Sequence, residues 1–185
     1  LVSTVKGTKH APKHLRKHRA SGKLPGWGHV IEICTHSDSM MGQVASEYAG
    51  VRVWRITELT DFADPSTQEQ IELFIRENPG TSLHGSLPCT PWSMWQLMCV
   101  YRLGIEYWIK LKRERLGSIL MLLAFIRLAH VAIDLGGDVS FEWPKTCLGW
   151  SQPALLRFIA EHDLFSVCPA GCSLSLIHIS EPTRL

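Results

Sequence analysis

Residues 29–56 read H-V-I-E-I-C-T-H-S-D-S-M-M-G-Q-V-A-S-E-Y-A-G-V-R-V-W-R-I. The stretch opens on a β-run over 29–34, crosses the polar loop 35–39, predicts a helix over 40–48 and closes on an alternating, β-branched run over 51–56. A strand, a helix and a second strand in so short a span describe a crossover between parallel strands. The pattern continues downstream. Pro65 opens a helix over 66–77 whose Ile71, Phe74 and Ile75 share a face, and Asn78-Pro79-Gly80 stops it. Residues 81–87 predict a third strand and 94–103 a helix. A long amphipathic helix is expected over 113–135, with Leu116, Ile119, Leu120, Leu123, Ile126 and Leu128 on its buried side and Gly136-Gly137 closing it. A fourth strand over 138–143, a helix over 152–163 and the start of a fifth strand over 165–168 follow. Strands alternating with helices predict an α/β domain with a doubly wound, mostly parallel sheet.

The chain has 185 residues, 45% of them hydrophobic and 19% charged, the balance of a globular domain with a real core. Its net charge of +2 conceals an asymmetry. Residues 1–26 carry seven Lys/Arg and no acid, so the remainder is mildly acidic. Residues 1–28 therefore read as a basic tail without regular structure, helical at most over 12–20 and suited to phosphate contacts. His10, His14 and His18 would share one face of that short helix, which is read as a solvated basic face. The domain is expected over 29–172, incomplete at its carboxyl end. Residues 174–184, L-S-L-I-H-I-S-E-P-T-R, are similar to a translated transposase-type sequencing adapter, so 173–185 is set apart from the fold. The most apolar run, 118–126, is about nine residues against the roughly 20 of a membrane span, and is read as a core helix. Six scattered cysteines lack the spacing of a disulfide scaffold and predict a reducing, intracellular compartment. Cys168 and Cys172 would need two further ligands to hold structural zinc, so no metal is expected.

In a parallel sheet the loops that follow the strands share one edge, where α/β proteins carry their chemistry. After the third strand the chain reads P-C-T-P-W-S over 88–93. Two prolines stiffen this turn around Cys89, which suits an exposed nucleophile. After the fourth strand come Glu142, Trp143 and Pro144, so a thiol and a carboxylate would meet at one cleft. Trp92 and Trp143 stand at the same edge, where an aromatic face could stack on a base.

These motifs resemble the DNA (cytosine-5) methyltransferases. That family's nucleophile loop is Pro-Cys-Gln-x-Phe/Trp-Ser, which 88–93 follows except at Thr90. Its next signature is a strand ending Glu-Asn-Val, which 140–144, S-F-E-W-P, follows at the acid alone. The order of motifs matches over about residues 30–167. The resemblance implies S-adenosylmethionine as cofactor and DNA as partner. Cys89 would add as thiolate to C6 of an extruded cytosine and Glu142 would hold the ring N3. Pro88, Trp92, Ser93 and Trp143 would line the base. Cofactor contacts would come from Glu32, Ser37 and Gly42 around the first loop and from Glu58 and Asp61 after the second strand. The family's first loop is rich in glycine, whereas this one holds only Gly42. The family's target-recognition region would lie beyond residue 172.

Other readings fit less of the chain. An amino-methyltransferase needs an acid or amide where Cys89 stands. A Cys-His hydrolase would draw its base from His84, five residues back along a strand. The alternative carried forward is a catalytically degenerate methyltransferase-fold domain, within a mobile-element polyprotein, that binds nucleic acid or serves structure. No membrane partner is expected.

Overall fold

The computed structural model describes residues 2–5, as backbone, and 27–167. Six strands form one sheet: β1 (Val2–Val5), β2 (His29–Ile33), β3 (Arg52–Ile56), β4 (Ser82–Gly85), β5 (Val139–Trp143) and β6 (Phe165–Val167). The spatial order is β3-β2-β4-β5-β1-β6. The first four in that order are mutually parallel, while β1 runs antiparallel to both β5 and β6. The fold is thus mixed α/β around a parallel core, as the alternating elements predict.

Period two gives each strand an apolar and a polar side. The register aligns Ile31 with Trp54 and Leu83, Ile33 with Gly85, and Gly85 with Phe141. Three helices cover this face: α2 (Pro65–Glu77), α3 (Trp95–Asp134) and α4 (Pro153–Glu161). Phe74 of α2 meets Trp54 edge-on with ring centroids 5.3 Å apart. Phe125 of α3 lies flat enough on Gly85 that a Cβ there would come within 2.4 Å of its ring. The opposite face carries Arg55, Glu32, His84 and Ser140 in one row, and α1 (Met40–Ala45) lies on it.

Local signals explain the short helices. Asp64 caps α2 by accepting from Ser66 N at 2.9 Å, and Pro65 at the first position needs no partner for a missing N–H. Ser39 caps α1 by accepting from Gly42 N.

Three expectations are corrected. The helix expected over 94–103 does end at Gly104, with φ 74 and ψ −155, but the long helix expected from 113 begins directly after that break, so the two abut within Trp95–Asp134. The apolar stripe expected on the long helix is also rotated. Leu116, Leu120 and Leu123 are exposed, while Leu122, Ala124, Phe125, Ala129 and Ala132 are buried with Leu128. A segment apolar all round does not select a face by periodicity; the alanines do, by letting the helix approach the sheet. Finally, Val2–Val5 lies within the segment read as lacking regular structure, yet pairs with β5 and β6. The rest of the tail, the histidine spacing at 10, 14 and 18, the Cys168–Cys172 pair and the adapter-like end lie outside the described residues. By length and composition α3 could cross a bilayer, but half of its most apolar window is buried inside the fold.

Candidate functional site

β2 has β3 on one side and β4 on the other, so the winding reverses between β2 and β4. At such a reversal neighbouring loops part, and a crevice opens beyond the carboxyl ends of the strands. A cleft of about 610 Å³ occurs there. Its walls come from the loop after β2 (Cys34, Thr35, His36), the loop after β3 (Glu58, Thr60, Asp61, Phe62), Pro88 after β4, and Met121 of α3. That volume suits a ligand of nucleoside size.

The expected cofactor residues divide in two. Glu58 and Asp61 line the cleft. Asp61 accepts from Ala63 N at 2.8 Å, which holds its carboxylate on the rim. Glu32, Ser37 and Gly42 are not among the lining residues. Glu32 is buried, and its two oxygens accept from Thr35 Oγ1 at 2.8 Å and Ser39 Oγ at 2.6 Å. It braces the loop from behind. The Ser37 carbonyl accepts from Arg55 Nη1, and a Cβ on Gly42 would come within 2.7 Å of the same guanidinium. Gly42 therefore makes room for Arg55 rather than for a ligand.

Cys34 adopts φ 58, in the left-handed region that favours glycine. Its thiol is pushed up to about 12, by burial first and by the charge of Asp61 second. Cys34 is thus a neutral wall of the cleft. His36 is raised from its ordinary value by its hydrogen bond to Asp38, at 2.5 Å, and by the charges of Asp38 and Glu58.

The Pro88–Ser93 loop is tied to α3. Its Thr90–Trp92 part is a single 3-10 turn, closed by Trp92 N donating to Cys89 O at 2.9 Å. The Trp92 indole is buried and donates to Ser118 Oγ at 2.7 Å. Arg115 lies 5.1 Å from the centre of that ring and donates to Pro91 O at 3.0 Å. Gln96 donates to Thr90 O at 3.0 Å, and Ser93 Oγ accepts from Trp95 N. Cys89 is half-buried against the core on this held turn.

The ends of β4 and β5 are stitched together. Ser86 donates to Glu142 Oε1 at 2.7 Å, and Trp143 Nε1 donates to Leu87 O at 2.7 Å. Cys89 and Glu142 therefore follow from adjacent strand ends, but neither is among the residues that line the cleft. The aromatic expectation is corrected: Trp92 is 5% and Trp143 1% exposed, so neither face is free to stack on a base. Trp143 shares the inward phase of Val139 and Phe141, and that phase buries it.

His84, behind the site, is buried with Nδ1 2.7 Å from Ser140 Oγ. Burial lowers its value, with the charges of Glu142 and Glu32 acting in the opposite sense. It is a sheet histidine and not a partner for the thiol. Sequence reasoning did not single out Ser86, Ser39 or Met121. Ser86 shares the phase of His84 and could be found by that; Met121 reaches the cleft from a helix distant in sequence.

No family model, no curated protein and no solved structure matches this chain.

Proposed function

We propose that the domain is a methyltransferase of the Rossmann-like, S-adenosylmethionine-dependent type, acting on cytosine in DNA. The observation that carries this reading is the cleft at the winding reversal, rimmed by Glu58 and Asp61 and reached by Pro88, the residue before Cys89. The residues fit the cofactor. Glu58 can accept from ribose hydroxyls, Asp61 from the adenine amine, and Phe62 and Met121 offer apolar walls to the base. S-adenosylmethionine would supply an electrophilic methyl group to the cleft.

The chain's own groups do the rest. Cys89 adds as thiolate to C6 of the cytosine, which turns C5 into an enamine carbon. Glu142, oriented by the Ser86 hydroxyl, holds a hydrogen bond to N3 and stabilises the charge that develops there. C5 takes the methyl group, gives its proton to water, and the electron pair left at C5 expels the Cys89 thiolate from C6 to restore the aromatic ring. The target base must leave its duplex to reach this edge. The setting is intracellular, where the thiol stays reduced.

A second reading, a degenerate domain that binds nucleic acid without methyl transfer, is favoured by one observation. The first loop holds Cys34 where a left-handed glycine is expected, and the carboxylate of Glu32 is already engaged. Two measurements separate the readings. Calorimetry should detect S-adenosylmethionine binding, and no heat at millimolar ligand rejects the enzyme reading. DNA bearing 5-fluorocytosine should trap a covalent adduct that Cys89→Ser abolishes; an adduct that survives this change removes Cys89 from the mechanism.

A further inference from the structure

At the edge of the domain opposite the cleft, α3 and α4 end side by side. Each helix leads into a strand, α3 into β5 and α4 into β6, so their carboxyl ends lie where strands begin. His130 of α3, Glu161 at the end of α4, and His162 at its C-cap meet there, with one ligand atom of each within 4.8 Å of the others.

Two imidazoles face each other directly: His162 Nε2 lies 2.8 Å from His130 Nδ1. With both rings neutral, one N–H serves the pair, and both nitrogens are aimed at one point between the helices. Glu161 Oε2 stands 4.0 Å from His130 Nε2. His162 is 7% exposed, and Phe158 is edge-on to both rings at 5.2 Å and 4.9 Å. That apolar edge limits how far the rings can turn away. The site lies at the carboxyl end of α4, the negative end of the helix dipole, which favours a cation.

We propose that His130, Glu161 and His162 bind one divalent transition-metal ion of the Zn²⁺ class, with the fourth position left to water. The ion replaces the proton shared by the imidazoles. Bonds of 2.0–2.1 Å in a tetrahedron separate two ligand nitrogens by about 3.3 Å, so the pair needs to open by only about half an ångström. Arg157 lines the same cleft of about 260 Å³. The imidazole donors select against Mg²⁺ and Ca²⁺, which prefer oxygen cages. The bound ion fastens α4, and with it β6, to the long helix. The donors are split between two helices distant in sequence, which is why a search by local spacing expects no metal.

The test is made on the full chain with His10, His14 and His18 changed to Gln and Cys168 and Cys172 to Ser, which removes the other clustered donors. After chelator treatment, calorimetry should find one Zn²⁺ per chain, and Zn²⁺ but not Mg²⁺ should raise the melting temperature. Co²⁺ should give visible bands without a thiolate charge-transfer band. His130→Gln and His162→Gln should each weaken binding at least roughly tenfold, the loss expected from disturbing even an outer partner of a metal. His36→Gln should leave it unchanged. Absence of Zn²⁺ uptake, a thiolate band, or an affinity unchanged from the parent in both variants overturns the proposal. His130 is partly exposed, so His130→Gln keeps the test usable if His162→Gln unfolds, with circular dichroism checking the fold.

Discussion

Behind Cys89, hydrogen bonds from Trp92, Gln96, Arg115 and Trp143 fasten the loop after β4 to the body of the domain, whereas in the loop after β3 Asp61 bonds within its own loop and Glu58 is exposed. The difference separates two tasks. Atoms that form and break bonds must be held to fractions of an ångström, so their loop is over-determined. Groups that only grip a ligand can settle around it on arrival.

The largest blow to this contrast should be Trp143→Ala. It opens a cavity under both strand ends and releases Leu87 O, at an expected cost of about 3–5 kcal/mol in urea unfolding. A loss under about 1 kcal/mol would show that the β4–β5 side is not rigidly supported. Ser118→Ala comes next. It leaves the buried Trp92 N–H without its acceptor and should cost about 1–3 kcal/mol by the same measurement.

The two histidines sharpen the comparison through pH. His84 is held below the ordinary value of 6.5 by burial, so its neutral form fits the fold, and stability should fall as pH drops below that value. His36 is held above 6.5 by Asp38, so its contribution is present below that value and lost as pH rises through the raised one. Unfolding midpoints measured across this range for His84→Gln and His36→Gln should change slope in opposite senses. Equal slopes would erase the distinction. The smallest effect belongs to the open side. Glu58→Gln and Asp61→Asn should stay within about 0.5 kcal/mol of the parent in stability while losing S-adenosylmethionine binding by calorimetry.

Strands β2 to β5 and helix α2 were legible because each carries its own periodicity and stop signals, such as Asp64-Pro65 and Asn78-Pro79-Gly80. The middle of α3 was not. Residues 104–112, G-I-E-Y-W-I-K-L-K, begin with a glycine at which the helix does break, and then alternate like a strand, yet 105–112 are helical. The strand-end positions of Glu58 and Asp61 at the cleft, and of Cys89 and Glu142 beside it in sequence and topology, follow from strand order alone. The direction of Trp143 was within reach, since period two groups it with Phe141. The anchors of Trp92 were not, because Ser118 and Arg115 lie on a helix whose face no stripe selects.

The placement of β1 bears on how the chain is made. Val2–Val5 leaves the ribosome before the other described strands but pairs with Ser140–Trp143 and Phe165–Val167, near the far end of the described chain. Pairings so distant in sequence are slow to form. β1 must therefore wait, without these partners, until β5 and β6 exist. Nascent chains halted before β5 should carry a free amino-terminal segment open to proteolysis, and its protection would mark the closing of the sheet.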